Sequence, residues 1–236
     1  MNAEKNMTPR LLAISACVTP GSRIADIGTD HAYIPIYLLQ KDVILCALAM
    51  DVNIGPLRRA QENIRRFRME TQIATRLSDG LLKLSPGEAD EVIIAGMGGI
   101  LICEILQARK DLWADNLRFI LQPMTASEEL RKFLEMNGFC IEKEALAKED
   151  EKIYQILCVK RGRMQMKREA DYYINPYLIE NKVPFTMELL NRRIIEFEKM
   201  LPGLSKSTRS EAKEKYRYVQ MLLKELYDIR GECGNG

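Results

Sequence analysis

An acid, a glycine and an Asp-His pair fall close together where the first apolar run of the chain ends, in RIADIGTDHAY, residues 23–33. Asp26 lies inside the run, Gly28 ends it, and Asp30 and His31 follow; His31 is the only histidine of the chain. A loop that cradles a pyrophosphate repeats its glycines as G-x-G-x-x-G, because backbone N–H groups must close on the phosphate oxygens. Here Thr29, Asp30, His31, Ala32 and Tyr33 fill those places, and a carboxylate stands where a phosphate would lie. That arrangement repels NAD and FAD. It suits a ligand with a cationic centre, and S-adenosylmethionine carries two, a sulfonium and an α-ammonium group.

Other apolar runs end in groups that complete such a ligand. ALAMDVN ends in Asp51, an acceptor-only side chain able to take both hydroxyls of a ribose, with Asn53 just after it. The alternative for Asp51 is to cap the helix that follows. LSDGLL offers Asp79 and Gly80 to an exocyclic adenine amine, or simply a turn. EVIIAGMGG supplies Gly96, Met97 and Gly98, where backbone can approach a ligand closely. FILQPMT ends near Gln122, whose amide could read the edge of a base. Asp30 is a candidate either to stabilise a cationic product or to hold the α-ammonium group. His31 is a candidate to orient a base or close the loop, against a plain role in capping or backbone hydrogen bonding.

These positions need a scaffold that brings strand ends together. Strand patterns occur at 23–27, 44–51, 72–77, 91–95, 118–123, 139–147 and 153–160, and helical patterns at 9–18, 33–40, 55–69, 101–110 and 126–137. Alternating strands and helices predict an α/β fold with a mostly parallel, seven-stranded sheet. The last two strands share only the KEDEK loop, so they should pair antiparallel at one end of it. This is the outline of a Rossmann-like methyltransferase domain, expected over residues 1–161. Residues 162–236 form a second expected domain, with helices near 184–201 and 206–229 broken by PGLSKS and packed as an antiparallel coiled-coil hairpin.

Composition narrows the class. The 236 residues are 47% hydrophobic and 29% charged with a formal net charge of +2, as expected of a soluble globular protein. No apolar run approaches the length of a membrane span and the N-terminus lacks a signal-peptide core, so a cytoplasmic location is expected. Six cysteines without a C-x-x-C pair, beside one histidine, argue for buried thiols and against a metal site. Nothing in the sequence sets an oligomeric state; a monomer is the expectation.

The blocks ADIGTDHAYIP, SDGL, IAGMGG and FILQPMT closely resemble the bacterial tRNA (adenine-N1)-methyltransferases that act on position 22. PRLLAISACV and LRKFLEMNGFCIEKEALAKEDEKIYQI fit the same family, so the resemblance covers about the first 160 residues. It implies S-adenosylmethionine held by the loop of Asp26, Gly28 and His31, with Asp51 at the ribose and Asp79 and Gly80 at the adenine. Gly96 to Gly98 would flank the transferred methyl, and Arg10 would meet the methionine carboxylate. It further implies a C-terminal coiled coil and, as substrate, the D-arm region of tRNA. Members of that family often carry Glu where this chain has the shorter Asp51. Basic clusters at Arg58, Arg59, Arg65, Arg66, Arg68 and Arg76, at residues 160–168, and at Arg192 and Arg193 are candidate phosphate contacts, or solvated helix faces. The alternatives left open are methylation of another RNA or a small metabolite, and a non-catalytic RNA-binding protein on the same fold.

Overall fold

Side chains alternate across each strand, which sorts the branched aliphatic residues of this chain onto two opposite faces of one sheet. The computed structural model describes residues 2–114, 116–206 and 209–234 and contains two compact units, Met1–Met164 and Gln165–Gly236. The first unit holds α1 (Pro9–Ser15), β1 (Ser22–Ile27), α2 (Tyr33–Gln40), β2 (Ile44–Asp51), α3 (Ile54–Arg66), β3 (Ile73–Leu77) and β4 (Glu91–Met97). It continues with α4 (Gly99–Gln107), β5 (Arg118–Pro123), α5 (Ser127–Met136), β6 (Phe139–Glu149) and β7 (Lys152–Arg161). The strand order is β3-β2-β1-β4-β5-β7-β6. β1 to β5 are parallel, and β7 is antiparallel to both β5 and β6. The expected hairpin is present, but its second strand is inserted beside β5 and its first forms the edge.

One face packs Ile24, Ile93, Ile120 and Ile156 against α1, α2 and α3 residues such as Ile14, Ile36 and Ile64. The other packs Ile27, Val92, Ile94, Phe119 and Leu157 against Ile102 and Leu106 of α4 and Leu130 and Leu134 of α5. The order reverses at β1, which pairs with β2 on one side and β4 on the other, so a crevice opens beyond their carboxyl ends.

Helix ends differ from the periodicity for local reasons. Thr8 caps α1 by accepting from the Leu11 N–H, and the helix stops at Ser15, where Cys17 and Val18 close tighter turns onto Ile14 and Ser15. α3 stops at Arg66 because Arg68 takes a left-handed φ of 58°. The N–H groups of Arg68 and Met69 return to the carbonyls of Arg65 and Ile64, a closing motif that usually recruits glycine.

In the second unit, α6 (Pro176–Glu180), α7 (Thr186–Ser205) and α8 (Ser210–Gly234) follow a short 3-10 turn at Glu169–Tyr172. Leu189, Leu190, Ile194 and Phe197 of α7 are buried, as are Val219, Leu222, Leu223 and Leu226 of α8. The expected break at PGLSKS falls elsewhere: α7 runs through Pro202 to Ser205. Proline removes one N–H near the helix end, and the Ser205 hydroxyl donates to the Pro202 carbonyl (3.1 Å), so the last turn survives. Ser207 and Thr208, within the second expected helix, lie outside the described residues. Among the described residues no helix is long and apolar enough to cross a membrane. The cysteines are free; Cys17 and Cys158 are buried and the other four partly exposed.

One buried ion pair ties α5 to the closing hairpin. Arg131 and Glu144 are both wholly buried and paired, and the guanidinium also donates to Gln155 Oε1 (2.6 Å). Arg131→Met, which removes the guanidinium paired with the buried Glu144 carboxylate, is expected to destabilise the first unit by about 3–5 kcal/mol, measured by urea unfolding at neutral pH.

Candidate active site

Asp26 is 7% exposed, in register with Ala49 of β2 and Ile93 of β4, so its carboxylate is flanked by apolar strands. Burial pushes its pKa up to about 6, and the neighbouring Asp51 charge pushes the same way. The Thr29 hydroxyl pulls in the opposite direction by proximity, yet it is buried and has no hydrogen-bond partner of normal geometry. A desolvated acid beside an unsatisfied hydroxyl is a poor way to end a strand unless a ligand completes it.

Asp26 and Thr29 open into a cavity of ≈ 350 Å³ that Arg10, Gly28, Asp30, His31, Tyr33 and Gly96 also line. Gly28 has a φ of 78°, and a side chain there would collide with the Met97 methyl. The left-handed φ is what the loop requires glycine for. Gly96 has a φ of 76°, with Arg10 beside it. Gly98 and Gly99 let the segment after β4 lie against the one after β5: Gly99 N–H donates to Thr125 O (2.8 Å) and Met124 N–H to Met97 O (2.8 Å). A side chain at Gly99 would run into the Ala126 carbonyl.

Arg10 is fixed from three sides. Its N–H donates to Glu149 Oε1 (2.7 Å), its guanidinium donates to Gln122 Oε1 (2.9 Å), and its charge lies over the Tyr154 ring (5.4 Å). Gln122 was expected at the edge of a base. It is instead wholly buried, its oxygen also accepting from Gly96 N–H (3.1 Å) and its nitrogen donating to Pro123 O (2.9 Å). No amide group is left to read a base, and its place is behind Arg10 and Gly96.

Asp51, Asn53, Asp79 and Gly80 do not line this cavity. Asp51 is buried, and its Oδ1 accepts from Asn53 N–H (2.7 Å), a local turn into α3 and not a helix cap. Asn53 and Asp79 are exposed, and Gly80 takes a φ of 50° in a turn held by the Ser78 hydroxyl. His31 does not cap α2: Ala32 holds that position with a φ of 54°. Its ring stacks on Tyr33 at 4.9 Å, and its Nε2 lies 3.3 Å from Asp30 Oδ2. Sequence reasoning gave Thr29 and Asn63 no role and read Arg59 only as a candidate phosphate contact. Arg59 forks onto Asp30, and Asn63 Nδ2 donates to the His31 carbonyl (3.0 Å). Their spacing of four on α3 was legible, but their partners lie far away in sequence. No group of three potential metal ligands occurs among the described residues.

The family model described as TrmK: tRNA (adenine(22)-N(1))-methyltransferase matches residues 24–227. The chain is 29% identical to the tRNA (adenine(22)-N(1))-methyltransferase of Bacillus subtilis (strain 168), covering 95% of this chain and 98% of that one. The crystal structure of the B. subtilis M1A22 tRNA methyltransferase TrmK superposes with a TM-score of 0.87 at 27% identity, over 94% of this chain and 98% of that one. Streptococcus pneumoniae Sp1610 in complex with S-adenosyl-L-methionine superposes with a TM-score of 0.80 at 30% identity, over 92% and 99% of the two chains.

The raised acid carries a stability consequence of definite sign. The folded state holds the Asp26 proton more tightly than the unfolded chain, so ionised Asp26 opposes folding, increasingly as pH rises from about 4 through about 6. Asp26→Asn is therefore expected to stabilise the ligand-free protein by about 1–3 kcal/mol at pH 7.5 and to change little at pH 4. Urea titrations at both values check it.

Proposed function

The chain belongs to the tRNA (adenine(22)-N(1))-methyltransferase family, and from this we propose that it transfers a methyl group from S-adenosylmethionine to N1 of adenine 22 in tRNA. The observation that carries this function to the cavity is a desolvated carboxylate, Asp26, with its pKa pushed up to about 6, beside the buried Thr29 hydroxyl that no hydrogen bond of normal geometry satisfies, at the β1–β4 reversal. An ammonium group relieves both at once.

Within this assignment Arg10, held by Gln122, takes the cofactor's carboxylate, and Asp26 with the Gly28 loop takes its ammonium end. Asp51 holds the ribose, aided by Asn53, while Asp79 and Gly80 border the adenine. The Gly96-Met97-Gly98 backbone closes on the reacting centre. Bound S-adenosylmethionine supplies an electrophilic methyl. N1 of adenine attacks with an in-plane lone pair that is free at neutral pH, so the protein needs no base to unmask it. Its task is to align the nitrogen and to keep an edge used in base pairing exposed. Asp30 and His31, at the mouth, face the positive charge that the methylated base acquires. The protein acts as a monomer in the cytoplasm, with tRNA as its partner.

The substrate surface follows from which cations are already committed. Arg76 pairs with Glu88, Arg59 with Asp30, Arg193 with Glu196 and Arg168 with Asp171 and Glu232. Arg58, Arg65 and Arg66 of α3 are exposed and make no ion pair among the described residues. They share the outward face of a helix whose opposite side buries Leu57, Ala60 and Ile64. Phosphates are the partners this face lacks.

Transfer from labelled S-adenosylmethionine to unmodified tRNA, followed by nucleoside mapping, is expected to put the label in N1-methyladenosine at position 22. Label at any other nucleoside, or none, refutes the assignment. The triple variant Arg58→Gln, Arg65→Gln, Arg66→Gln is expected to keep cofactor affinity while its tRNA affinity loses about two units of salt-dependence slope. An unchanged slope, read by filter binding across salt concentrations, removes α3 from the phosphate path.

A further inference from the structure

The Asp30–His31 pair stands at the mouth of the cavity on a loop with no regular structure of its own, and α3 holds that loop at two points. Arg59 and Asn63 are one turn apart, on the flank between the buried stripe of α3 and its outward arginine face. Arg59 reaches Asp30 Oδ1 with both Nε (3.0 Å) and Nη2, and Asn63 Nδ2 takes the His31 carbonyl (3.0 Å). The other Asp30 oxygen lies 3.3 Å from His31 Nε2, and Tyr33 lies flat against the imidazole at 4.9 Å. Ring position, ring plane and the neighbour of one ring nitrogen are thereby all specified.

We propose that Arg59 and Asn63 are positioning residues for His31, acting through the Asp30 side chain and the loop backbone; this rests on the methyl-transfer assignment above. Asp30 is the intermediary. With Arg59 on one oxygen and His31 beside the other, the carboxylate is held in place by α3 and serves to orient the ring. A carboxylate beside Nε2 favours the neutral tautomer that carries its proton there, leaving Nδ1 as the acceptor. His31 lines the cavity, so this acceptor is what the loop offers to the amino group of the target base. In this arrangement the donor from the 6-amino group strengthens as the ring of the base becomes cationic, and no proton need leave.

The same helix begins two residues after Asp51–Val52, at Ile54. A group seated at Asp51 and a group facing His31 are thus referred to one rigid element, and α3 sets their separation.

The test uses the full chain and the fact that His31 is its sole histidine, so nitrogen-15 NMR of the imidazole reports on one residue without assignment. In ligand-free wild type at alkaline pH, the Nε2–H tautomer is expected to exceed the majority share it already holds in an unstructured histidine peptide. In Arg59→Met and in Asn63→Ala the populations fall to those of that peptide, and Arg59→Lys restores part of the bias. In turnover assays Arg59→Met lowers kcat roughly 10- to 100-fold with KM for the cofactor within about two-fold. In an Asp30→Asn background, Arg59→Met causes no further loss. Wild-type tautomer populations in Arg59→Met overturn the proposal, as do losses that multiply in the double variant. A defect confined to KM for tRNA also overturns it, making Arg59 a phosphate contact. Failure of wild type to methylate tRNA refutes the assignment of function instead, and the NMR measurement still decides whether Arg59 positions His31.

Discussion

A carboxylate in the middle strand of a parallel sheet has little water to turn to. Asp26 lies between Ala49 and Ile93, on the strand where the order of the sheet reverses, and the desolvation that raises its pKa is the constraint around which the first unit is arranged. The strand must end immediately afterwards, which Gly28 achieves with a left-handed turn onto which Met97 packs. Helix α2 must start without covering the acid, which the left-handed Ala32 allows. The residues in register with it, Ala49 and Ile93, are apolar, and the charge of Asp51 at the end of β2 adds to the cost of ionising it. Stability is given up at this point, and the large two-faced core on either side of the sheet offsets it.

Features set by short-range chemistry were legible in the sequence. Strand ends at Ile27, Asp51, Leu77 and Pro123 follow from apolar runs closed by Gly, Asp or Pro, and the acids placed there follow from the same punctuation. The KEDEK turn announced an antiparallel hairpin. What could not be read is what the hairpin does next. β7 enters between β5 and β6 because Leu157 and Val159 pack on the face of Phe119 and Leu121, a pairing that no local pattern encodes.

The same limit explains the differences within the site. Gln122 has the chemistry of a base-reading amide, and only the fold shows that Arg10 and Gly96 already occupy its oxygen. Arg59 read as one more surface arginine, indistinguishable from Arg58 until Asp30 was brought within reach. Pro202 read as a helix end, yet a single lost N–H near a terminus is tolerated, and the Ser205 hydroxyl donates to the Pro202 carbonyl in the last turn. In each case the residue type was informative and its partner was not.

Arg10 is synthesised before any strand of the sheet, but every group that fixes it comes late. Its N–H waits for Glu149, 139 residues on, and its guanidinium for Gln122, 112 residues on, before it can settle over Tyr154. Vectorial synthesis therefore delivers the acidic side of the cavity early and the cationic side only once the closing hairpin has been translated. A chain that ended before β5 would carry Asp26 and Gly28 with none of the three groups that fix Arg10.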